Sequence, residues 1–103
     1  MAIDRKDLFT LTHYEYGEAY FGSYRGMRYR VARDPFKDVH FAPEEERYDA
    51  QLSATVWPGP YSYADTAEDK KETKLFPYSE EGMGELVAWL NEVFEERRKD
   101  WAA

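Results

Sequence analysis

From Ser79 onward, Met83, Leu86, Val87, Leu90, Val93 and Phe94 recur at spacings of three and four residues. That is the period of an amphipathic helix, and it leaves Glu85, Glu92, Glu95 and Glu96 on the wet side. Ser79 stands where an N-cap would, Glu80 and Glu81 fall in the first turn, and Arg97, Arg98 and Lys99 follow where cations oppose the helix dipole. The pattern predicts a helix to about residue 99. A helix with one apolar stripe must bury it against a second layer, and the chain ahead of Ser79 reads as strands.

Residues 8–16 alternate Phe9, Leu11 and His13 against Thr10, Thr12 and Tyr14, a two-residue period that predicts a first strand. Tyr20 and Phe21 extend an edge. Gly22-Ser23 or Arg25-Gly26 then supplies a turn into a second strand, residues 27–33, with Met27, Tyr29 and Val31 on one side and Arg28 and Arg30 on the other. Asp34-Pro35 stops it, because proline lacks a ladder donor and restricts its predecessor. Pro43 is placed to open a helical turn through Glu44, Glu45 and Glu46. The third strand, residues 50–57, turns Leu52, Ala54 and Val56 inward and Ser53, Thr55 and Trp57 outward, and Pro58-Gly59-Pro60 ends it. After a polar stretch in which Asp65 or Thr66 is positioned to cap a short helical turn, residues 72–76 make a fourth strand closed by Pro77. The expected fold is therefore α+β: an antiparallel sheet of three or four strands with the C-terminal helix packed on one face.

The chain has 103 residues, enough for one core, and is read as a single domain over 1–103. Its 43% hydrophobic content is too high for an acidic disordered tail despite a net charge of −7. No apolar run reaches the roughly 18–20 residues that span a bilayer, and MAIDRKDLF has no signal-peptide core. Cysteine is absent, which removes disulfides, thiolate nucleophiles and thiolate metal sites and fits a cytoplasmic location.

Within this acidic chain Arg25, Arg28, Arg30 and Arg33 fall close together with no carboxylate among them. On a strand, Arg28 and Arg30 project from one face about 6–7 Å apart, a spacing suited to a phosphate, a carboxylate or an acidic partner. Carboxylates of the same chain offer the alternative occupants, since 21 acidic residues are available. Tyr14 and Trp57 are placed on the same outward face, and Tyr61 and Tyr63 on the proline-stiffened loop give rigid aromatic surface for a partner or a cover over the core's end. Net negative charge argues against direct nucleic-acid binding.

The acidic groups fall into sets: Glu44, Glu45 and Glu46; Asp65, Glu68 and Asp69; and Glu92, Glu95 and Glu96 beyond Glu80, Glu81 and Glu85. Such patches either keep the protein soluble or imitate a phosphate backbone for a basic channel on another protein. His13 and His40 are the only histidines and stand far apart; His13 reads as a core residue. No nucleophile elbow, metal-ligand spacing or converging carboxylate pair is present, so no catalytic residue, metal or cofactor is assigned. Trp101 reads as an anchor at the helix end.

At GMRYRV (residues 26–31), TVWPGPYSY (55–63) and KLFPYSEEG (74–82) the chain resembles a small bacterial family of gut bacteria and their mobile elements that has no settled activity. Some of its members carry the label of a GNAT-type acetyltransferase. That fold needs a longer chain and a pyrophosphate-cradling loop between strand and helix, which neither Arg25-Gly26 nor Glu81-Gly82-Met83-Gly84 supplies. Small size, acidity, the lack of catalytic groups and the resemblance together lead to the expectation of a non-enzymatic protein-binding module. Its implied partner is a nucleic-acid-binding host defence enzyme, inhibited in the anti-CRISPR manner. The competing expectations are a small anionic-ligand-binding or acetyltransferase-related domain using Arg28, Arg30 and Tyr14, and a homo-oligomer, simplest as a dimer, that buries its open sheet face.

Overall fold

The computed structural model describes residues 3, 8, 11–36, 39, 41–43, 45–46, 49–59 and 62–101, without the side chains of Thr12, His13 and Asp100. In chain order these form α1 (Leu11–Glu15), β1 (Tyr20–Tyr24), β2 (Met27–Asp34), β3 (Gln51–Pro58), a 3-10 turn (Glu68–Lys70), β4 (Glu72–Pro77), α2 (Glu80–Glu96) and α3 (Arg98–Trp101). The strands make one antiparallel sheet in the order β1-β2-β3-β4, each hydrogen-bonded to its neighbour in sequence. The architecture is the expected α+β one, with all four strands present.

The helix begins where its sequence says it must. Ser79 adopts extended backbone geometry and its hydroxyl accepts from the Gly82 N–H at 3.0 Å, which satisfies one orphan donor of the first turn. Gly82 packs so closely on Pro77 that a Cβ there would lie 1.8 Å from the Pro77 carbonyl oxygen. The stripe Met83, Leu86, Val87, Leu90, Val93 and Phe94 is buried as the spacing requires. It meets Met27, Tyr29, Val31, Leu52, Ala54, Val56 and Phe76 from the sheet in one core. α2 stops at Arg97, whose N–H donates to Val93 O before the chain turns into α3. The helix expected to continue to residue 99 is thus two, and the second places Trp101 in the core at 4% exposure, the predicted anchor.

β1 and β2 are joined by Arg25-Gly26, with Tyr24 opposite Met27. Both turn residues have positive φ, 46° and 93°, as a two-residue hairpin needs to follow the right-handed strand twist. The alternative turn at Gly22-Ser23 is excluded, since both lie inside β1. Gly22 faces Tyr29 across the ladder and lies under its ring.

The first predicted strand is a correction. Of residues 8–16, the described segment Leu11–Glu15 is a short helix, while Phe9 and Thr10 lie outside the described residues. Leu11 and Tyr14 are spaced by three, so the helical turn directs both toward the core: Tyr14 is buried and Leu11 packs against the core. The Tyr78 hydroxyl donates to Leu11 O at 2.7 Å and the Val39 N–H to Glu15 O at 2.6 Å, which ties the turn down. β1 forms instead from the segment read as an edge. The predicted cap at Asp65 or Thr66 is also replaced, because the 3-10 turn starts after Ala67 and Thr66 donates back to Ser62 O at 2.6 Å. The helical turn expected after Pro43 has its closing bond, Glu46 N–H to Pro43 O at 3.0 Å, with Glu44 outside the described residues.

Among the described residues no helix is long and apolar enough to cross a membrane.

Candidate functional site

The face of the sheet turned away from α2 is built from Phe21 and Ser23 of β1, Arg28, Arg30 and Ala32 of β2, Ser53, Thr55 and Trp57 of β3, and Thr73 and Leu75 of β4. Cross-strand partners share a face, and the register sets Phe21 beside Arg30, Arg30 beside Thr55, and Thr55 beside Thr73. The two threonine hydroxyls share a hydrogen bond at 2.7 Å. Phe21 and Leu75 are 58% and 44% exposed.

The loop after β3 folds back over part of this face. Tyr63 stacks edge-on against Trp57, with centroids 5.5 Å apart, and against Phe21 at 6.3 Å. Trp57, which alternation places on the outward face, is only 2% exposed, so the aromatic loop acts here as a cover. A ring brought from outside the sheet dries the middle of a face that alternation alone assigns to solvent.

Arg30 sits among aromatic rings. Its guanidinium carbon lies 4.8 Å from the Phe36 centroid, 4.9 Å from Tyr63 and 5.9 Å from Phe21. Each such contact contributes about 0.5–2 kcal/mol, depending on how dry it is. Lys71 lies 4.1 Å from the Tyr63 centroid and donates to Tyr63 O at 3.0 Å, while pairing with Glu68. The ion pairs among the described residues are Lys71–Glu68, Arg97–Glu72 and Arg98–Glu95. Arg28 and Arg30 take part in none of them.

The four arginines do not form one cluster. Arg25 is in the hairpin turn, its guanidinium carbon 5.5 Å from the Tyr24 centroid. Arg28 lies opposite Trp57 and lines a pocket. Arg33 belongs to the other face: it is 1% exposed and donates to Pro35 O at 2.7 Å and to Glu46 O at 2.9 Å. Its parity with Met27, Tyr29 and Val31 carried that information, and its chemistry is that of a buried tie between β2 and the following connection. Tyr14 is likewise removed from the site, being fully buried in α1 rather than displayed on a strand. Tyr61 lies outside the described residues, as does His40, and the His13 side chain is not described.

Phe36 and Leu75 are residues of this face that sequence reasoning missed, and Phe36 is the one that reaches Arg30. It is 53% exposed and reaches Arg30 from beyond the end of β2. The proline before it, read only as a strand stop, marked the bend that brings it back.

The acidic candidates lie on separate elements. Glu92, Glu95 and Glu96 are exposed on α2, which carries six carboxylates and no cation along its length. Asp65, Glu68 and Asp69 are exposed in the loop between β3 and β4, where Asp65 accepts from the Ser62 hydroxyl at 3.1 Å. Glu45 and Glu46 are exposed in the β2–β3 connection, and Glu44 is outside the described residues.

What fold and site together define is a four-stranded meander backed by an acidic helix, with an aromatic and arginine-bearing face on the opposite side. Compared with protein-family models, curated proteins and solved structures, the chain shows no match.

Proposed function

We propose that this protein is a non-enzymatic binding module that docks another protein on the outer face of its sheet. The observation that carries this reading is the composition of that face. Phe21 and Phe36 are exposed against Arg30, Leu75 is exposed two strands away on the same face, and neither Arg28 nor Arg30 meets a carboxylate among the described residues. Exposed aromatics with arginine are the residue types that dominate binding energy in protein interfaces, whereas a merely solvated face carries Lys and Glu.

The occupant favoured is an acidic segment of a different protein. A two-fold contact through this face would bury Arg28 and Arg30 against central strand positions that carry no carboxylate, which disfavours self-association through it. The narrower reading is an inhibitor of a nucleic-acid-binding host defence enzyme, of the anti-CRISPR kind. In it the six carboxylates of α2 oppose a basic channel while the aromatic face supplies specificity.

The test is capture from host lysate at low salt with the wild-type protein and with a Phe21→Ser/Arg30→Gln double variant. A defined partner held by the first and lost by the second supports the reading, and recovery of no partner overturns it. The narrower reading requires that the captured enzyme lose nucleic-acid binding when the protein is added, and regain it with Glu85→Lys/Glu92→Lys.

A further inference from the structure

On the docking face itself, Phe21, Arg28, Trp57, Ser62 and Tyr63 line a pocket of about 370 Å³. Its size is at the lower end of small-ligand sites and corresponds to roughly a dozen waters. Tyr63 stands at 64° to Trp57 and at 66° to Phe21, so three rings wall the space. The cation at its side is Arg28, half-buried, with neither a hydrogen bond nor an ion pair to a described residue. It passes close to Gly59, where a Cβ would lie 3.0 Å from Arg28 Nε, and Gly59 is itself held by its N–H bond to Gly26 O at 2.9 Å. Ser62 is engaged with Asp65, both through its hydroxyl and as acceptor from the Asp65 N–H.

The Arg28 N–H groups engage no described residue and stand open to a ligand at the pocket, for which a carboxylate is the matching fork. Three rings around the remaining space match a flat apolar body. We infer that this pocket binds a small aromatic monocarboxylate, its ring between Phe21, Trp57 and Tyr63 and its carboxylate on Arg28. One guanidinium in a chain of net charge −7 favours a single negative charge over a polyphosphate. Such binding does not depend on protein docking, although a bound ligand would occupy Arg28 and Phe21 of the same face.

The experiment is a titration of ¹⁵N-labelled protein with phenylacetate, its neutral isostere phenylacetamide, and acetate, read at the indole N–H signals. The three tryptophans give three such signals. Phenylacetate is expected to shift the Trp57 signal saturably and to leave those of Trp89 and Trp101 in place. Phenylacetamide should bind at least ten-fold more weakly, and acetate should not saturate. In Arg28→Gln the preference for the acid over the amide should vanish. A Trp57 signal that does not move overturns the inference, and so does equal binding of acid and amide to the wild type, a comparison that stands whether or not the variant folds.

Discussion

The main-chain carbonyl of Trp101 occupies the place where a side chain on Gly26 would stand: a Cβ built there would lie 1.8 Å from Trp101 O and 2.9 Å from its carbonyl carbon. The end of the last helix is thereby seated on the β1–β2 hairpin turn, at a residue whose φ of 93° already favours glycine. Two independent requirements meet at one position, and neither yields by a rotamer change because the obstructing atoms are backbone. Gly26→Ala is expected to destabilise the fold by at least about 2 kcal/mol, or roughly 8–16 °C in Tm for a domain of this size. Thermal unfolding followed by circular dichroism checks it; a change under about 2 °C would show that the carbonyl is not seated there.

Gly84 is the contrasting case. It lies inside α2, exposed, with nothing within 4 Å of the place a Cβ would take. Alanine loses less backbone entropy than glycine on entering a helix, so Gly84→Ala should stabilise by about 0.5–1 kcal/mol. Urea unfolding would show a raised midpoint at unchanged slope.

Asn91 ties the N-terminal region to α2. Its Oδ1 accepts from the Ile3 N–H at 2.9 Å, and its Nδ2 donates to Ile3 O at 2.8 Å and to Val87 O at 3.0 Å. Ile3 itself is 2% exposed, so its backbone groups lack easy access to water. Asn91→Ala should cost about 1–3 kcal/mol. Asn91→Asp should cost at least as much, because a carboxylate oxygen would then face two carbonyls. Denaturant midpoints of both variants, with exchange of the Ile3 amide as the local reporter, provide the measurement.

These contacts also separate what was legible along the chain from what was not. α2 was readable because its six buried apolar residues keep one period and Ser79 caps it in place; β2 and β3 were readable because Val31, Leu52, Ala54 and Val56 alternate without interruption. Residues 8–16 carry two periods at once, and the choice between them is made by Tyr78 and Val39, far along the chain, which bond Leu11 and Glu15. The site divides in the same way. Arg28 and Arg30 follow from strand parity, as Arg33's burial does, whereas the burial of Trp57 depends on Tyr63 crossing the sheet from a loop, which no local pattern encodes.

Arg30 and Tyr63 are the pair that holds that loop over the sheet, with Phe36 and Phe21 on Arg30 and Lys71 on Tyr63 as supporting contacts. If the guanidinium and the ring act on one another, their removal is not additive. Arg30→Ala and Tyr63→Ala should each lower stability, and the double variant should lose less than the sum by about 0.5–1 kcal/mol. Methionine at position 30 separates charge from packing, since it keeps apolar length but no cation. Coupling that survives in Arg30→Met would assign the contact to packing, and coupling that disappears would assign it to the cation over the ring. Because Tyr63 also shields Trp57, Tyr63→Ala should red-shift the fluorescence of that indole as water reaches it. Arg30→Ala should do so to a smaller extent, by loosening the loop rather than removing its ring.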